Sequence, residues 1–423
     1  MTTTVAPHFQ FKDNLLHAEG IPLTQLAQDY GTPLYVYSRQ ALRDAWDAYQ
    51  QAPAGRSVLI CYGMKANSSL AVLQEFHRLG SGFDIVSGGE LARVLAAGGD
   101  AGKIVFSGVG KQGWEIRDAL EAGVKCFNVE SEAELERIAT IATQMKTTAP
   151  VSLRVNPDVD AQTHPYISTG LKENKFGIDI NDAMAVYERA TQLPSLRIVG
   201  VDCHIGSQIT EIDPYLDALD KLILLIKALE KQGITLQHLD LGGGIGIRYT
   251  NETPLAPALL LERIFAALDK NGLDHLELVL EPGRSLTGNA GILLTTVEYL
   301  KHNEFKNFAI VDAAMNDLIR PTLYDAWHDV EPVTRRADLP AQRYDVVGPI
   351  CESGDWLARD RDLALQPGDL VAIMSAGAYA FTMSSQYNTR PRAAEVMVDG
   401  TVSHLIRRRE TIQELFQNEQ TIP

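Results

Sequence analysis

The stretch Cys61-Tyr62-Gly63-Met64-Lys65-Ala66-Asn67 closes the apolar run Ser57-Val58-Leu59-Ile60, and a helical pattern opens just after it at Leu70, Val72, Leu73 and Phe76. A lysine at the end of a buried strand is desolvated, which disfavours the ammonium and yields an amine able to form a Schiff base with a carbonyl compound. A lysine snorkelling from a strand end fits the same stretch. Three other stretches bear on the choice. Leu241-Gly242-Gly243-Gly244-Ile245-Gly246 follows a strand, and it could cradle a phosphate on backbone N–H groups or form a plain tight turn. It is not a dinucleotide fingerprint, because Ile247 stands at the third glycine position, and Gly110-Lys111 lacks the upstream glycine of a Walker loop. Glu281-Pro282-Gly283-Arg284 offers a carboxylate that can hold a pyridine nitrogen protonated, or a surface ion pair. His204-Ile205-Gly206-Ser207-Gln208 offers a flat ring for stacking and a hydroxyl for a phosphate, or a satisfied core histidine.

Taken together, an amine, a glycine turn, an imidazole and a facing acid have one joint meaning: pyridoxal 5′-phosphate held through Lys65. None of the four cysteines makes a Cys-x-x-Cys pair, which argues against a zinc site, and no metal is expected.

The elements that must position these groups alternate regularly. Strands are expected to begin near Ser57, Ser81, Lys103, Lys125, Val151, Arg197, His238 and Leu276, with helical patterns between them. The longest pattern, Tyr215 to Lys231, places Leu216, Leu219, Leu222, Ile223, Ile226 and Leu229 on one face. Eight such units over about 240 residues match a (β/α)8 barrel. The strand ends read Lys65, Asp84 with Ser87, Ser107, Glu130, Arg154 with Asn156, His204 with Ser207, the Gly242–Gly244 turn, and Glu281 with Arg284. In a barrel these ends share one face, where sites of this fold are built. After Ser285 strand-like runs dominate, and Asp399-Gly400 before Thr401-Val402 signals a hairpin. The expected division is a barrel over 39–285 and a mostly β, Greek-key-like domain over 286–423, completed by the N-terminal segment 1–38 with its strand near Tyr35.

Composition narrows the partners. The chain has 423 residues, and 38 basic against 54 acidic residues give a net charge of −16, which disfavours nucleic acid and anionic membranes. No apolar run reaches the roughly 20 residues needed to cross a bilayer. Four cysteines without a Cys-x-x-Cys pair, and an N-terminus without signal-peptide regions, lead us to expect a reducing cytoplasm.

The motifs Tyr62–Asn67, His204–Gln208, Gly242–Gly244 and Glu281–Arg284 resemble those of the fold-type III, alanine-racemase-like barrels that bind pyridoxal phosphate, specifically the group IV amino-acid decarboxylases. Arg320-Pro321-Thr322-Leu323-Tyr324, Cys351-Glu352-Ser353, Gly377-Ala378-Tyr379 and His164–Gly170 running on to Lys175-Phe176-Gly177 extend the resemblance along nearly the whole chain. Gly63 stands where the group often has Ala. The resemblance implies that Lys65 carries the cofactor near Asp84, Glu281 faces its ring nitrogen and His204 stacks on the ring. It implies that Ser207, Gly243, Gly244 and Glu281-Pro282-Gly283-Arg284 surround the phosphate, and that Tyr379 closes the site. It further implies an obligate homodimer with shared sites, in which Cys351, as proton donor, and Glu352 come from the second subunit.

Within the group the chain is similar to the members acting on meso-diaminopimelate. Arg284, Arg320, Tyr324, Glu352 and Tyr379 are then expected to bind the substrate, whose distal carboxylate needs paired cationic donors when buried. The alternatives are a decarboxylase of ornithine, arginine or carboxynorspermidine, and a non-catalytic cofactor-holding homologue. A racemase of the alanine type is disfavoured, because such enzymes place arginine at the pyridine nitrogen. The segment from Asp158 to Lys175 is the expected closing loop.

Overall fold

The computed structural model describes residues 6–51, 55–160 and 174–423. Two compact units emerge: Trp46–Ile247 with Thr253–Ser285, and Met1–Ala45 with Arg248–Glu252 and Leu286–Pro423. In the first, eight strands pair in parallel: β1 (Val58–Gly63), β2 (Gly82–Ile85), β3 (Ile104–Phe106), β4 (Cys126–Val129), β5 (Ala149–Asn156), β6 (Leu196–Asp202), β7 (His238–Asp240) and β8 (Glu277–Leu280). Pairing of β8 with β1 closes the sheet into a barrel. Each expected start lies within two residues of the observed one.

The helices α1 (Leu70–Arg78), α2 (Gly88–Ala96), α3 (Gly113–Ala122), α4 (Glu132–Met145), α5 (Ala183–Thr191), α6 (Asp213–Lys231) and α7 (Pro257–Lys270) lie between the strands in sequence. Some begin at side-chain caps that satisfy otherwise orphaned N–H groups. The Ser87 hydroxyl accepts from Glu90 N at 3.2 Å and the Ser131 hydroxyl from Glu134 N at 3.2 Å. Ser87, a polar strand end in the sequence, thus starts a helix. α6 buries Leu219, Leu222, Ile223, Ile226 and Leu229 of the expected stripe, with Tyr215 beside them, and leaves Leu216 half-buried.

The second unit is mostly β. Strand Leu34–Ser38 pairs antiparallel with Gly291–His302 and parallel with Ala394–Asp399. Its side chains alternate between two cores: Tyr35 and Tyr37 join Leu293, Val297 and Leu357, whereas Leu34 and Val36 join Phe9, Leu16 and Ile292. Both faces of this sheet are covered. The hairpin Ala394–Asp399 to Val402–Arg407 turns at Gly400, whose φ of 62° suits the left-handed turn expected there. Among the described residues no helix is long and apolar enough to cross a membrane.

Candidate active site

Strand alternation builds the barrel end. Cys61, Val105, Cys126 and Val279 share an apolar cluster with Val199. Two residues further along the same strand lines come Gly63, Ser107, Asn128 and Glu281, at the same phase of the pleat. The Cys126 thiol donates to Asn128 Oδ1 at 3.6 Å, placing the two on one face. Asn128 Nδ2 donates to the Ser107 hydroxyl at 3.1 Å and to Glu281 Oε1 at 3.3 Å, and Ser107 donates to that same oxygen at 3.5 Å. Glu281 is thereby held by one of its two oxygens.

Lys65 follows β1 by two residues, and its Nζ donates to Asp84 Oδ2 at 2.7 Å. The Asp84 side chain is fully buried while that of Lys65 is 39% exposed, so the amine is charge-paired yet accessible. Asp84 sits on β2 opposite Gly63.

Carboxylates crowd this end of the barrel. Oxygens of the buried Asp202, Asp240 and Glu281 lie within 4.8 Å of one another. Burial raises the Glu281 carboxyl well above the usual range, and the charges of Asp240, Asp84 and Asp202 raise it further. Burial also pushes Asp240 up to about 7, against the pull of its hydrogen bond from Gly242 N and with help from Asp84. Burial and then Asp240 raise Asp202. Arg154 counters part of this charge: it donates to Glu130 Oε1 at 2.8 Å and lies 3.9 Å from Asp202 Oδ2. Asp84 Oδ1 and Asp202 Oδ1 remain buried with no hydrogen-bond partner among the described residues. A protonated pyridine ring fits this acidic, incompletely satisfied pocket beside an amine.

A pH effect follows with a definite sign. Asp240 holds its proton to about pH 7 when folded, against an ordinary value of 3.8, so the folded state binds more protons between those values and loses stability as pH rises through them. Asp240→Asn mimics the protonated acid. The cofactor-free variant is expected to melt a few degrees above its parent at pH 8, with the gap closing toward pH 5. Parallel melting temperatures at both pH values would contradict the assignment.

His204 follows β6, and its Nδ1 accepts from Gly243 N at 3.2 Å. Burial, then the charges of Arg154 and Lys65, lower its pKa well below the usual value, so the ring is neutral with its proton on Nε2. Gln208 ties this turn to the glycine turn: its Nε2 donates to Ile247 O at 2.7 Å and its Oε1 accepts from Ile247 N at 3.1 Å. The Ser207 hydroxyl accepts from Arg284 Nη2 at 3.1 Å and Nε at 3.4 Å, and Arg284 is buried.

The glycines have steric reasons. A Cβ on Gly243 would stand 2.2 Å from the Glu281 carbonyl oxygen, and Gly244 has φ +106°. A Cβ on Gly63 would stand 3.3 Å from the same carbonyl, close but accommodable. Gly243→Ala is therefore expected to cost about 3 kcal/mol of stability, and Gly63→Ala less than about 1 kcal/mol. Chemical denaturation of both variants checks the contrast.

The barrel unit thus brings Lys65, Asp84, His204, Ser207, Gly243, Gly244, Glu281, Pro282, Gly283 and Arg284 to the carboxyl ends of its strands, with Pro282 O accepting from Gly63 N at 3.0 Å. Sequence reasoning missed Asn128, Asp202 and Asp240. For Asn128 the available signal was a lone polar residue inside the otherwise apolar strand Cys126–Val129, whereas Asp202 and Asp240 are the last residues of their strands. Of the expected closing loop, 161–173 lies outside the described residues; at its end Arg154 stacks 5.0 Å over the Phe176 ring, and Gly177 N donates to Glu130 Oε2 at 2.8 Å.

In the β unit, Arg320 is buried and Tyr324 half-buried on the short helix Arg320–Tyr324. Cys351 and Glu352 are exposed on a turn braced by Asp355, which accepts from Ile350 N at 2.7 Å, and the Tyr387 hydroxyl donates to Glu352. Tyr379 is half-buried with φ 54°, a strained value for a non-glycine residue.

Residues 39–288 match the family model described as the pyridoxal binding domain of pyridoxal-dependent decarboxylases. The diaminopimelate decarboxylase of Pseudomonas aeruginosa is 60% identical over 98% of this chain and 99% of its own length. That of Vibrio cholerae is 56% identical over 97% and 98% respectively. The crystal structure of the Helicobacter pylori diaminopimelate decarboxylase complexed with L-lysine matches with a TM-score of 0.90 and 43% identity, covering 94% of this chain and 99% of that one. By this similarity, together with the barrel and the residues at its strand ends, the chain belongs to the diaminopimelate decarboxylase family of pyridoxal-dependent decarboxylases.

Proposed function

We propose that the chain decarboxylates meso-diaminopimelate to L-lysine and CO2 with pyridoxal 5′-phosphate as cofactor, the last step of lysine biosynthesis. The observation that carries the reading is the accessible Lys65 amine paired with Asp84 beside the buried carboxyl of Glu281, in a chain whose full-length relatives bear the corresponding name.

In this reading Lys65 would hold the cofactor through its aldehyde. Glu281, steadied by Asn128 and Ser107, would keep the ring nitrogen protonated, and the neutral His204 would support the ring without adding charge. Ser207, Gly243, Gly244 and the Pro282-Gly283-Arg284 turn would hold the phosphate, and Tyr379 would close the site. The bound cofactor supplies an electron sink for the pair left behind when the carbon–carboxylate bond breaks. Cys351 would supply the proton that replaces the lost carboxylate.

Arg284, Arg320 and Tyr324 bind the distal carboxylate of the substrate, and Glu352 its distal ammonium, a pairing that favours a second amino-acid head over the bare amine of ornithine. Exposure of Cys351 and Glu352 in the single chain supports the view that they serve the site of a partner subunit, which makes the working form a homodimer. We assign the cofactor domain to 39–285 and the β domain to 286–423 with 1–38. The four free cysteines favour a reducing cytoplasm.

The test is CO2 release from meso-diaminopimelate measured beside ornithine, arginine and carboxynorspermidine. A preference for meso-diaminopimelate is the expected result. Equal or greater release from another of the four would overturn the substrate assignment, and cofactor binding with no release from any would overturn catalysis.

A further inference from the structure

We infer that His328 is a positioning residue for substrate recognition: it orients the Arg320 guanidinium through an imidazole bridged to the Met374 carbonyl. This rests on the reading of Arg320 as a partner of the distal carboxylate.

The bridge has a single consistent proton arrangement. His328 Nε2 lies 2.8 Å from Arg320 Nη1, and a guanidinium only donates, so Nε2 is the acceptor. His328 Nδ1 lies 2.8 Å from Met374 O, and a carbonyl only accepts, so Nδ1 carries the proton. One neutral tautomer satisfies both bonds, and the ring is fully buried. Sheet pairing fixes its anchor: Val330 pairs with Ile373, and Met374 N donates to Asp329 O at 2.8 Å. Arg361 Nη2 donates to the His328 carbonyl at 3.1 Å, pinning the backbone from another strand. Tyr249 completes the seat, edge-on to His328 at 5.6 Å and beneath the Arg320 guanidinium at 5.0 Å.

The chemistry of this seat matters. A carboxylate in place of His328 would orient Arg320 equally well but neutralise it. The imidazole and the phenol ring restrict a long side chain that otherwise loses rotamer entropy on binding, and neither adds a negative charge that would neutralise the guanidinium. Orientation is provided before the substrate arrives.

The test compares holoenzyme variants using L-lysine, which keeps the distal amino-acid head, and cadaverine, which lacks its carboxylate. His328→Phe keeps a ring but no acceptor. It is expected to raise the KM for meso-diaminopimelate and the inhibition constant of L-lysine together by about tenfold, with kcat within about threefold. The inhibition constant of cadaverine should not move. His328→Gln, whose amide can accept from Arg320 and donate to Met374 O, is expected to hold both lysine and substrate within about threefold of the parent. Unchanged lysine inhibition in His328→Phe, or equal weakening of lysine and cadaverine, would overturn the inference. If His328→Phe does not fold, His328→Gln decides: lysine inhibition as weak as in Arg320→Met refutes the bridge, and retained inhibition supports it. Arg320→Met with parental lysine inhibition would instead overturn the reading of Arg320 itself.

Discussion

Lys65→Ala is expected to abolish the visible absorbance of the lysine-linked cofactor and to lower turnover by about a thousandfold or more. The amine is the only nucleophile among the described residues that lies 2.7 Å from the buried Asp84 and is still open to solvent through 39% of its side chain. The thiols Cys61, Cys126 and Cys203 are buried, and burial holds each of them above its ordinary pKa, so none can substitute. The substitution also leaves Asp84 buried without its cation, so some loss of stability is expected alongside the loss of activity. Lys65→Arg separates the two effects. It keeps a positive charge for Asp84 but offers no deprotonated amine, so it should fold like the parent, lack the absorbance band and remain inactive. A surviving band in Lys65→Ala would mean that another residue carries the cofactor.

The barrel was legible because each strand is a short apolar run with charged or glycine boundaries. Val58–Gly63 and Cys126–Val129, for instance, begin one residue after the positions that sequence spacing suggests. Strand ends were legible for the same reason: a polar residue that stops an apolar run must face the barrel's rim. The interior polar layer was harder to see. Strands covered on both faces show no alternation between apolar and polar positions, so nothing in Cys-Phe-Asn-Val declares that Asn128 points inward toward Glu281. Asp202 and Asp240 were hidden likewise, each reading as the polar boundary of its strand rather than as a member of a carboxylate group.

The β unit was legible in composition but not in pairing. Leu34–Ser38 lies between strands that begin at Gly291 and Ala394, and no local signal can specify neighbours so distant in the chain. The role of His328 depends on Met374, 46 residues away, and on Tyr249 from a separate stretch of the chain. Sequence reasoning placed Arg320 through its Pro321 and Tyr324 neighbours, yet the group that orients it lies past the end of that motif.

Glu281→Gln is expected to lower kcat by about a hundredfold while leaving the KM for meso-diaminopimelate within about threefold. The amide keeps an oxygen for Asn128 and Ser107, so the local packing survives. What it loses is the negative charge that, in the proposed function, keeps a pyridine nitrogen protonated, and with it the strength of the electron sink. The surrounding carboxylates make the position sensitive: burial, then Asp240, Asp84 and Asp202, disfavour ionised Glu281 until a cation arrives to compensate. Removing Asp240's charge should therefore ease ionisation of Glu281, whereas Glu281→Gln removes it altogether. Asp240→Asn is accordingly expected to retain at least ten times the kcat of Glu281→Gln, with both variants keeping the visible band that reports the bond to Lys65. Equal kcat values for Glu281→Gln and its parent would detach this acid from the chemistry, and an equal loss in the two variants would assign the effect to the carboxylate cluster as a whole.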